Sequence, residues 1–67
     1  MKETNEEYWK IINKIVELQN EIQDEEKKPR RNEEYISAGY GLIHDLYLLL
    51  FDKGYTEEQI DRDVAYS

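Results

Sequence analysis

The stretch that most limits what this chain can fold into is "GLIHDLYLLLFDKG", residues 41–54. Wound at 3.6 residues per turn, it sets apolar side chains around well over half of a helix, with His44, Asp45 and Asp52 marking a polar strip. A helix that is apolar on most sides has to be covered on most sides. Little is available to cover it, because the whole chain is 67 residues. A domain of that size buries only about 60% of its unfolded surface, and it is usually supported by disulfides, a structural metal or oligomerisation. There is no cysteine and only one histidine, which removes disulfides, thiolate metal sites and a zinc site built from histidines. Oligomerisation is the support left, and no cofactor is expected.

The punctuation around this stretch predicts three helices and an all-α fold. Thr4-x-x-Glu7 is a capping box, and Tyr8, Ile11, Ile15, Leu18 and Ile22 then recur at alternate spacings of three and four. Trp9, Ile12 and Val16 widen one flank of that seam. Lys27 and Lys28 suit the negative end of the helix dipole, and Pro29 ends the helix. Asn32 is the expected cap of the second helix, Glu33 and Glu34 suit its first turn, and Gly54 is the expected left-handed terminator. Thr56-x-x-Gln59 caps a third, with Tyr55 and Ile60 as a hydrophobic staple. The expected helices run over about 5–28, 33–53 and 57–64. They form one domain, residues 1–67: an antiparallel hairpin with a short C-terminal helix strapped across its open end.

On a helical wheel, Tyr35, Gly39, Leu42, Leu46 and Leu49 form one stripe of the second helix. Ile36, Tyr40, Tyr47 and Phe51 form another, with Ile43 and Leu50 between the two. The first stripe is expected to meet the first helix. The surplus one is expected to pair with a second copy, making Ile36, Tyr40, Ile43, Tyr47, Leu50 and Phe51 the interface of a homodimer resembling a four-helix bundle. Gly39 and Gly41 lower helix propensity, so either close helix packing compensates for them or the helix kinks there.

No constellation in the sequence points to catalysis. Asp45 faces about 100° away from His44 on a helix and cannot orient it. "SAGYGL" lacks the Lys-Ser/Thr of a phosphate loop, and Asp61 and Asp63 are wrongly spaced for a calcium loop. The chain reads as a non-enzymatic protein.

Sixteen acids against nine bases give a net charge of −7. Such a balance disfavours direct nucleic-acid contact and anionic membranes, and favours basic protein partners. The quartet Lys27, Lys28, Arg30 and Arg31 lies among acids and reads as a complement to them. "MKETNEEYWK" lacks the apolar core of a secretory signal, and the longest apolar run, "LYLLLF", is far short of a membrane span. A cytoplasmic location is expected. The function that fits is an acidic inhibitor or regulator of a basic, nucleic-acid-handling protein, of the nucleic-acid-mimic or anti-defence kind that phages encode. Glu17, Glu21, Asp24, Glu57, Glu58 and Asp61 are its candidate contact residues. The alternative is an adaptor that accepts a partner helix on an exposed aromatic stripe including Trp9, Tyr40, Tyr47 and Phe51.

Overall fold

Asn5 opens the first helix by accepting the Tyr8 amide on its side-chain oxygen at 3.1 Å. The structure is a computed structural model that describes residues 5–67. The cap expected at Thr4 lies outside that range, and Asn5 does the capping. Helix α1 runs Glu6–Glu26, α2 runs Glu33–Asp52, and α3 runs Glu57–Tyr66. The described chain is therefore all-helical, with α1 and α2 joined by the short turn around Pro29.

Helix α1 stops two residues before the expected end, because Lys28 precedes proline and is pushed out of helical geometry. The Lys27 amide donates to the Asp24 carbonyl at 3.3 Å and the Lys28 amide to that of Glu25 at 3.2 Å, closing the last turn. Glu25 then clasps the turn. Its carboxylate accepts the Asn32 amide at 2.8 Å and the Lys28 ammonium at 3.0 Å, which hold it below the usual carboxylate range. Arg31 pairs with Glu33, so half of the basic quartet is bonded to its own neighbours.

The core consists of Tyr8, Ile12, Ile15, Leu18 and Ile22 from α1, Ile36, Ile43 and Leu50 from α2, and Ile60 from α3. Ile12 is fully enclosed where Ile11 was expected, and Ile11 is half-buried. The larger correction concerns α2. Its buried line is Ile36–Ile43–Leu50, three residues spaced by seven, with Gly39 buried beside it. Ile36, Ile43 and Leu50, expected between copies, are taken up by the chain's own core. Tyr35, Leu42 and Leu49, expected to meet α1, remain 45%, 52% and 44% exposed. One partner helix buries most when it meets the middle of a broad apolar arc, and the arc's two margins are then left at the surface.

Gly39 is a close-approach position within a continuous helix, and α2 does not break there. A Cβ on Gly39 would lie 2.8 Å from both Cδ1 and Cγ1 of the buried Ile22, whereas one on Gly41 would meet nothing within 4 Å. Gly39→Ala should therefore cost about 1–2 kcal/mol, overpacking outweighing the gain in helix propensity. Gly41→Ala should stabilise by about 0.5–1 kcal/mol. Paired thermal melts check both signs, and a stabilised Gly39→Ala would place the α1–α2 contact elsewhere.

Gly54, at φ 102°, terminates α2 in the left-handed region. The Tyr55 amide bonds the Leu50 carbonyl at 3.1 Å and the Gly54 amide bonds that of Phe51 at 2.9 Å, the paired bonds of a Schellman ending. Thr56 then caps α3 through the Gln59 amide, and α3 continues two residues beyond the expected end. Thr56→Ala should cost about 1 kcal/mol. It should also speed amide exchange in residues 57–66 ahead of global unfolding, as measured by hydrogen-exchange mass spectrometry.

Candidate protein-binding surface

The carboxylates proposed for a partner all reach the surface. Glu17, Glu21 and Asp24 are exposed on successive turns of α1, and Glu57, Glu58 and Asp61 are exposed on α3. These are two groups on two helices, and each contains one acid that is also tied into the fold. Glu21 accepts the Tyr35 hydroxyl at 3.1 Å, and Asp61 accepts that of Tyr47 at 2.6 Å.

Those two bonds belong to a set that the sequence did not reveal. Tyr8 donates to Asp63 and Tyr40 donates to Glu26, so tyrosine–carboxylate bonds join α1 to α2, α1 to α3 and α2 to α3. Tyr8 also stacks on Tyr55, with ring centroids 4.3 Å apart. Burial, and then the bond to Asp63, raises the Tyr8 phenol well above its ordinary value of 10. Burial and the Asp61 bond do the same to Tyr47, and the Glu21 bond raises Tyr35. The signal was present only as six tyrosines in a short acidic chain. Nothing in helical periodicity says which carboxylate a tyrosine on another helix will meet.

Between α1 and α2 lies an open apolar groove of about 160 Å³. Leu18 and Ile22 line one wall, Tyr35, Ala38, Gly39 and Leu42 line the other, and Glu21 stands at its edge. No α3 residue lines it. Of the residues expected between copies, Tyr40 and Phe51 are exposed and Tyr47 is half-buried. The exposed aromatic stripe is thus divided. Tyr47 serves α3 through Asp61 and meets Phe51 edge-on, and Trp9 stands edge-on to Tyr8.

No family model, curated protein or solved structure matches this chain. Among the described residues, no cluster of three or more His, Asp or Glu side chains is placed to hold a metal ion. Among them, no helix is long and apolar enough to cross a membrane.

Proposed function

We propose that this chain is a non-enzymatic binding module, an inhibitor or regulator that engages a basic, nucleic-acid-handling protein in the cytoplasm. Its carboxylates would stand in for the phosphates that such a partner holds, as in nucleic-acid mimics of the anti-defence kind encoded by phages. The observation that supports this is the exposure of Glu17, Glu21 and Asp24 on successive turns of one helix, on a chain with a net charge of −7. Exposed carboxylates in such number contribute little to folding, but they raise the rate and selectivity of association with a basic surface.

The test is affinity for a captured basic partner as salt is raised, for the wild type and for a variant with Glu17, Glu21 and Asp24 all replaced by Lys. Binding should weaken as the Debye length falls from about 10 Å at 0.1 M to about 3 Å at 1 M. The triple variant should bind less tightly with unchanged helicity. Salt-insensitive binding that survives the triple replacement would reject the reading.

The alternative reading is an adaptor that accepts a partner helix on an exposed apolar face; none of its stripe residues Trp9, Tyr40, Tyr47 and Phe51 lines the open α1–α2 groove, which is the apolar face that favours it. Pairing of two copies would use Tyr40 and Phe51, the exposed members of the α2 margin on the side that Tyr47 shares with α3. Sedimentation at micromolar concentration decides this, and a sole species of 8.1 kDa would retire the dimer.

A further inference from the structure

We infer that the α1–α2 groove is the docking site for a basic amphipathic helix of the partner, a proposal that rests on the binding-module reading and gives it a location. Tyr35, Leu42 and Leu49 recur every seven residues and stay about half exposed, so they form a straight apolar row along α2. The row rises about 21 Å at 1.5 Å per residue, the length of roughly four helical turns. Leu18, Ile22 and Ala38 deepen its Tyr35–Leu42 half into the groove. The third helix is anchored through Tyr8 and Tyr47 and leaves this side uncovered.

Charge decides what kind of helix fits. Glu21 lines the groove, with Glu34 and Asp45 flanking the row on α2. Lys14 and Lys28 pair with Glu17 and Glu25, one turn to either side of Glu21, and Lys53 beyond Leu49 pairs with Glu7. Among the described residues these pairs balance, and Glu21, Glu34 and Asp45 set the sign of the rim. The Tyr35 hydroxyl bonds Oε1 of Glu21, fixing the carboxylate and leaving Oε2 to accept an incoming guanidinium. A second copy would bring these same carboxylates against one another on two bodies each carrying −7. A helix with an apolar stripe bordered by Arg or Lys satisfies both the groove and its rim.

The probes are three synthetic peptides of about 18 residues, long enough to span the row. One is helical, with leucines at every third or fourth position and arginines on both flanks. The second has the same composition scrambled so that the stripe is lost, and the third carries glutamate for arginine. NMR titration of the full chain should show the first peptide binding roughly tenfold more tightly than the scramble, and the acidic peptide not binding. Shifts should centre on Leu18, Ala38 and Leu42. Leu42→Glu should weaken binding roughly tenfold or more, and Leu48→Glu, on the outer side of α2, should leave it unchanged. Both positions are exposed, and circular dichroism confirms that each variant is folded. A scramble that binds as tightly as the helix would overturn the groove while sparing the basic-partner reading. Failure of both basic peptides to bind at low salt would overturn both. Shifts at the groove that depend on the concentration of the chain alone would assign it to a second copy and overturn the proposal.

Discussion

Leu50→Ala is expected to leave the chain largely unfolded, or close to its melting point, at room temperature. Leu50 has no exposed surface and sits in the cluster where the three helices meet. Truncating such a side chain removes its transfer free energy and leaves a cavity, together costing about 2–5 kcal/mol. A domain of this length has a total stability of roughly 3–10 kcal/mol, so the loss is a large share of the whole. Leu48→Ala is the matched control. It deletes the same atoms two residues away, at a position that is about half exposed, and should cost little. Denaturant titrations followed by circular dichroism compare the two. If the variants lose stability equally, the core is not centred on the Ile36–Ile43–Leu50 line.

Raising the pH is expected to unfold the chain in the range where ordinary tyrosines ionise. Tyr8 and Tyr47 are neutral in the fold and hydrogen-bonded to carboxylates, and both are raised well above 10. In the unfolded chain they ionise near 10. Below that value both states hold the proton, and the tyrosines' contribution to stability is fully present. As the pH climbs past it, the unfolded chain releases protons that the folded chain keeps, so stability falls. Helicity and phenolate absorbance are followed from about pH 8 to about pH 12, and the part of the absorbance lost when Tyr8 and Tyr47 are replaced by Phe should rise together with the loss of helicity. Replacing both residues by Phe lowers stability at neutral pH by about 1 kcal/mol for each hydrogen bond, but should flatten the alkaline loss. Phenolate from Tyr8 or Tyr47 appearing with helicity intact would contradict the assignment.

Much of the architecture was legible because the signals for helix ends are local. Asn32, Gly54 and Thr56 each do what their position in sequence implies, and each acts on backbone groups within four residues. Gly39 was legible for the same reason, since a missing side chain on an apolar face leaves a gap that another helix can fill. The rotation of α2 was not. Its apolar arc is so broad that a wheel allows several contact lines, and the choice depends on where α1 and α3 lie. Tyr35, Leu42 and Leu49 facing α1, with Ile36, Ile43 and Leu50 facing a second copy, would divide the arc between two contacts. The fold instead buries the arc's centre. The candidate surface follows the same division. Exposure of the acids was evident from their positions on the helices, but the tyrosines that fix Glu21 and Asp61 depend on tertiary placement.

Chemical-shift mapping of the full chain with its captured basic partner, at low and at high salt, distinguishes the acidic α1–α2 side from the other faces of the molecule. Shifts are expected at Glu17, Glu21, Asp24, Tyr35 and Leu42 at low salt, fading as salt is raised. Shifts that persist at high salt, or that gather around His44 and Leu48 on the outer side of α2, would contradict binding through the acidic side.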